Sequence, residues 1–150
     1  RISRHHHVKH RLASLMEKKG FVCVDEAYCA DSDSRNRFID ILAFDSKSDK
    51  AYLIDPTVRY ESNRDVAKEV RREKAAIYEK CIADIEAKYE SQFGKRQYEV
   101  IGLWFGARGT VSQQLVDFFE RFELDKETLV EMAEAVISMS VQMVHHHIYG

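Results

Sequence analysis

The chain has one proline, six glycines and three cysteines among its 150 residues. So little proline and glycine excludes a collagen-like or low-complexity chain. Cys23, Cys29 and Cys81 are odd in number and never spaced as CxxC. That excludes a disulfide framework and a zinc-finger pattern and fits reduced thiols in an intracellular protein. No apolar run approaches the roughly 20 residues of a membrane-spanning helix, and no segment reads as a signal peptide. Methionine is missing from position 1, which suggests a piece of a longer protein.

What is present is 45% hydrophobic and 32% charged residues, the balance of an ordinary globular domain with a proper core. The net charge is only −2, but it is unevenly placed. Residues 1–20 carry six Lys/Arg against Glu17, a net of +5, and residues 111–150 carry seven acids against Arg121 and Lys126, a net of −5. The asymmetry predicts one anion-facing side and one solvated side.

Hydrophobic periodicity predicts a first helix from about His5 to Lys19, stopped by Gly20. FVCVDEAY, FIDILAF and AYLIDPTV read as three strands, the last two joined by the tight connection DSKSDK. A long helix from about Asp65 to Tyr89 follows, then the strand YEVIGLWFG and helices near Val111–Phe122 and Lys126–Val144. The order predicts an α/β fold: a mixed four-stranded sheet flanked by helices, αβββαβ, with two further C-terminal helices. One domain spans 1–150, with a core over about 4–112 and a helical extension over about 113–150.

Asp40 and Asp55 lie inside apolar strands, where aspartate is depleted and an unpaired buried carboxylate costs several kcal/mol. Alternation puts Phe38, Asp40 and Leu42 on one face, with Ile39, Ile41 and Ala43 on the other, and groups Leu53, Asp55 and Thr57. A hairpin between the two strands can set the aspartates side by side, where they repel unless a proton or cation separates them. Oxygen ligands that leave room for water and phosphate suit Mg²⁺. On the long helix, Lys74 falls within the apolar stripe Val66, Val70, Ile77, Cys81 and Ile85. Its ammonium either snorkels to solvent or meets the Asp40/Asp55 pair.

Further along the chain, RHHHV, GFVCVDE, RFIDI, LIDPTVRYE, AKEVRREKAAIY and VIGLWFGARGTVS stand in the order seen in one family. They resemble the restriction-like endonuclease domain, of the PD-(D/E)XK superfamily, that follows the reverse transcriptase in one branch of non-LTR retrotransposons. The resemblance implies a restriction-endonuclease-like core with Asp40 and Asp55 as catalytic, metal-binding acids. It also implies a lysine moved from the third strand, where Thr57 stands, to Lys74 on the next helix. The cofactor would be Mg²⁺ (or Mn²⁺), the substrate target DNA nicked to prime reverse transcription, and the setting a larger, nuclear reverse transcriptase polypeptide. The sequence departs from the family at Ile39, which replaces a proline, and at Pro56, which removes a ladder donor beside Asp55.

Glu26, Glu61 and Arg71 are further candidates for the site, and Arg4, Lys9, Arg11, Arg37 and Arg108 for phosphate contacts, Arg108 in the GARGT turn before a helix N-terminus. His6 and His10 have the i, i+4 spacing of a two-histidine metal site but no evident third ligand. His145, His146 and His147 carry no reading. Three alternatives stand beside the nuclease: an inactive DNA-binding or assembly copy, a junction-resolving nuclease, and an interaction domain in which both aspartates pair with Lys74.

Overall fold

The computed structural model describes residues 3–149. Arg1, counted in the basic N-terminal stretch, lies outside them. Helix α1 (Arg4–Lys18) starts at Ser3, whose hydroxyl accepts from the His6 N–H, and ends before Gly20 at φ +95°, a conformation that suits glycine. Strands β1 (Phe21–Ala30), β2 (Asn36–Asp45) and β3 (Lys50–Arg59) form an antiparallel meander. The chain then crosses through α2 (Val66–Tyr78) and α3 (Ile82–Phe93) to β4 (Gln97–Gly106), which pairs parallel to β3. Helices α4 (Gln113–Arg121) and α5 (Lys126–Tyr149) complete the chain.

The result is a four-stranded mixed sheet in the order β1-β2-β3-β4 with helices on both faces. On one face Val8, Leu12 and Met16 of α1 pack with Ile41, Ile54 and Phe105 of the sheet and with Phe119 and Met132 of α4 and α5. The two C-terminal helices are thus part of the core. On the other face Leu42, Phe44 and Leu53 meet Cys81 and Ile85, while Val66 and Val70 cover Trp104. Arg96 binds the β2–β3 hairpin by donating to the carbonyls of Asp45 (2.6 Å) and Ser48 (2.8 Å).

Two local features differ from the sequence expectation. The long second helix is broken by a single 3₁₀ turn, Glu79–Cys81. There the Lys80 carbonyl accepts from the Ser32 N–H and its ammonium pairs with Asp33, so the β1–β2 loop docks on the break. The second difference is in the pleat. Cys23, Ile41 and Ala43 pack on the α1 face, yet Ala27, Cys29 and Ile39, of the same parity, pack on the α3 face. Both strands therefore turn over at one rung, Glu26 opposite Asp40. Glu26 has φ +47° there, and the ladder resumes in the same register on either side, Asp25↔Ile41 and Ala27↔Ile39. A residue in the left-handed region changes which side of a strand the next side chain takes.

Candidate active site

The β2–β3 ladder runs from Phe44↔Ala51 to Ile41↔Ile54 and stops. Asp40 and Asp55 are the next residues on each strand, so they face one another across the fork where the strands part. Beyond it β3 is held by β4 alone, through Arg59↔Gly106. Pro56 lies in this singly paired segment, where β3 presents an edge to the fork. Edges are where strands tolerate proline.

Asp55 is 7% exposed. Its burial pushes the carboxyl above the usual range, the Lys74 ammonium pulls the other way, and Asp40 adds to the rise by like-charge repulsion. Lys74 Nζ stands 3.6 Å from Asp55 Oδ2, and the Thr57 hydroxyl donates to Asp55 Oδ1 at 3.2 Å. The Tyr78 hydroxyl, one helical turn beyond Lys74, also lies against this carboxylate. Burial and the nearby Asp55 charge both push the Tyr78 phenol up, so it stays a neutral donor.

Lys74 reaches the fork because α2 crosses β4 at Gly102. A Cβ on Gly102 would come within 2.8 Å of Lys74 Cβ and 2.9 Å of its Cγ. The lysine stem thus occupies the space of the missing side chain, and the head emerges over Asp55, 16% exposed. Asp40 is met from the opposite face: His5 Nε2, in the first turn of α1, is 2.9 Å from Asp40 Oδ2. That hydrogen bond outweighs the effect of partial burial and raises the His5 pKa.

The remaining candidates fall elsewhere. Glu26 shares the turned-over rung with Asp40, but it is exposed and lies 3.4 Å from Lys9 Nζ. Glu61 accepts from the Arg108 and Thr110 N–H groups and from the Thr110 hydroxyl (2.7 Å). Partial burial opposes it, but the Thr110 hydroxyl and these N–H donors hold its carboxyl below the usual range. It braces the turn after β4 and has no contact with the fork. Arg71 is exposed and lines the cleft between α2 and α4, away from Asp55.

Lys9 requires correction as a phosphate contact. It is 2% exposed, with Nζ 2.8 Å from Asp25, and burial, which works to discharge it, is outweighed by Asp25 and Glu26. Arg11 pairs with Glu131 of α5 at 3.0 Å, Arg4 donates to Ser140 of α5, and Arg37 lies 3.5 Å from Asp31. The basic first helix therefore packs on the acidic last one, and the segregated charge of the sequence is partly neutralised within the fold. Arg108 remains exposed at its turn.

His6 and His10 hydrogen-bond to each other at 2.7 Å. Among the described residues, no group of three or more His, Cys, Asp or Glu side chains is gathered as a metal cage, and no helix is long and apolar enough to cross a membrane. Sequence alone does not single out His5 or the contact of Tyr78 with Asp55. The signal for Tyr78 was present, because Lys74 and Tyr78 are one turn apart on the same stripe. His5 is set apart from His6 and His7 only by the helix phase over Asp40.

No protein-family model and no curated protein matches the sequence. Among solved structures it is similar to the crystal structure of AF1548, a protein of unknown function. The sequence identity is 15%, the match covers 93% of this chain and 98% of that one, and the TM-score is 0.40.

Proposed function

We propose that this domain is a metal-dependent DNA endonuclease of the restriction-like type, the nicking module of a larger non-LTR retrotransposon reverse transcriptase. The observation that carries the reading is the fork itself: two aspartates past the end of a ladder, with the Lys74 ammonium 3.6 Å from the buried one. The donor set fits Mg²⁺ or Mn²⁺. Asp40 and Asp55 offer hard oxygen ligands, and Asp55, buried and repelled by Asp40, favours a compensating cation. A bound Mg²⁺ would lower the pKa of its water and offset charge on the phosphate and the leaving oxygen.

The protein's own groups do the rest. Lys74 offers a proton-bearing cation over Asp55, placed to orient a nucleophilic water or neutralise a phosphate oxygen. Tyr78 and Thr57 hold the Asp55 carboxylate in one orientation, and His5 holds Asp40. Fixing both acids in advance lowers the reorganisation needed when a substrate arrives. With Lys9 buried and Arg11 paired, phosphate contact falls to exposed cations such as Arg108, and binding should be sensitive to salt.

The deciding experiment is nicking of supercoiled plasmid with Mg²⁺ or Mn²⁺. Wild type should convert it to open circles, and Asp40→Ala should abolish this while keeping the fold and DNA affinity. A second reading has its own support, since each carboxylate already has a partner within the fold, Lys74 for Asp55 and His5 for Asp40. On that reading the cluster is structural and the domain serves assembly. No nicking by wild type, together with unfolding of both Asp40→Ala and Asp40→Asn, would favour it.

A further inference from the structure

The pleat reversal at Glu26 and Asp40 leaves two aromatic rings uncovered. Ala27, Cys29 and Ile39 turn to the α3 face, so Tyr28 and Phe38, cross-strand partners in the β1–β2 ladder, turn to the face on which α1 lies. Helix α1 begins over Asp40, with His5 in its first turn, and among the described residues no helix covers the strands beyond it. Phe38 is 56% exposed and Tyr28 45%. The rings lie together at 5.6 Å with a 58° tilt. The Tyr28 hydroxyl donates to Asn36 at 2.7 Å, and the Lys88 ammonium sits 4.3 Å from its ring centroid. Tyr28 is thereby held in place, and the outer face of Phe38 is the open one.

We propose that Phe38, backed by Tyr28, is a stacking platform for one unpaired nucleobase next to the scissile phosphate. The domain's substrate would then be a DNA strand with a nucleotide out of the duplex at the cut. The inference rests on the nuclease reading of Asp40, Asp55 and Lys74, and three considerations carry it. Phe38 is two residues from Asp40 on one strand, about 6.7 Å along it, and on the face from which His5 meets Asp40, so a strand that reaches Asp40 from that face passes the ring. The Lys88 ammonium stands over the Tyr28 ring and the exposed Arg35 lies at the entry to β2, cations that complement the flanking phosphates. Finally, a base within a duplex has both π-faces covered by its neighbours, so only a base outside the stack can lie on Phe38.

The test uses short DNAs bearing 2-aminopurine, either paired in a matched duplex or unpaired in a one-nucleotide bulge, with Ca²⁺ replacing Mg²⁺ in the binding assays. Wild type should quench the unpaired probe and bind the bulged DNA more tightly than the duplex. Phe38→Ala should lose that preference, weakening bulge binding by roughly 5- to 150-fold, the span of one base–aromatic stack, with duplex affinity unchanged. Phe38→Trp should keep the preference. Phe38→Leu, which keeps apolar area without a π-face, should lose it.

Equal affinity of wild type for the two DNAs would overturn the proposal, as would a preference that survives in Phe38→Ala or Phe38→Leu. The second of those results would make the patch a general apolar contact of the kind a protein partner uses. Cleavage assays with Mg²⁺ separate the two claims. A Phe38-dependent preference without cleavage sinks the enzyme and leaves the platform. Cleavage of bulge and duplex at equal rates, indifferent to Phe38, sinks the platform and leaves the enzyme.

Discussion

Lys74 and Gly102 share one space: the lysine's Cβ and Cγ lie where a side chain on residue 102 would begin, with the Val70 carbonyl 3.1 Å from the same point. Gly102→Ala therefore sets a methyl against the base of a side chain and a helix backbone, neither of which can swing away. Overpacking of this kind costs about 1–3 kcal/mol, and α2 should shift outward and carry the ammonium from Asp55. The expected outcome is a lowered urea midpoint together with a nicking rate that falls beyond what the folded fraction explains. Full activity per folded molecule would show that the close approach is packing alone.

Lys74→Met keeps the stem over Gly102 and removes the charge. The variant should fold, bind Mn²⁺ in titration calorimetry, and nick DNA about 10²-fold more slowly or worse, the range for a positioned charge or proton-transfer group. Lys68→Ala and Lys80→Ala are the controls, since Lys68 lines the α2–α4 cleft and Lys80 pairs with Asp33. A Lys74→Met protein that nicks at the wild-type rate removes Lys74 from the mechanism.

Asp55 links the site to stability through pH. Its folded-state pKa is raised, so the metal-free fold binds its proton more tightly than the unfolded chain does. Stability should fall as pH rises from the unfolded-state value near about 3.9 through the folded one. At neutral pH the ionised carboxylate is then a net burden, mainly through its burial. Asp55→Asn should raise the metal-free melting temperature at neutral pH and change it little in acid below both values. If the variant is destabilised at neutral pH, the Lys74 pairing outweighs the burial and the cluster is structural.

Lys9 makes the opposite point about charge. Its partners Asp25 and Glu26 are themselves exposed, so its removal strands no buried carboxylate. Lys9→Met should change stability by about 1 kcal/mol or less and leave DNA affinity and its salt slope untouched. A salt slope reduced by about one unit would instead make Lys9 a phosphate contact.

Most of the architecture was legible because local pattern and burial agree. Short apolar runs bounded by turn residues mark all four strands, and the tight hairpin between β2 and β3 allows Asp40 and Asp55 to lie side by side, which they do one step past the last rung. Lys74 was legible for the same reason, as a charge on an apolar helical stripe. What could not be read arises from tertiary contact. A left-handed glutamate leaves no signature in sequence, so the strand reversal at Glu26 and Asp40 was invisible, and with it the exposure of Phe38. The segment Glu79–Cys81 contains no glycine or proline, and its 3₁₀ turn meets the Ser32 amide from a distant loop. Lys9 looked like a surface cation because its counter-ions lie on a strand that sequence could not place beside it.

The fork has a mechanical consequence. The last rung joining β2 to β3 is Ile41↔Ile54, so the two acids can move apart or together without breaking a backbone hydrogen bond between the strands. The rungs from there to Phe44↔Ala51 lie in the buried core and must open together to exchange. In hydrogen–deuterium exchange the fork-facing amides near Asp40 and Asp55 should trade protons well before those of Leu42 and Leu53. The gap between the acids is thus set from outside the pair, by β1 and His5 on the Asp40 side and by β4 and Lys74 on the Asp55 side.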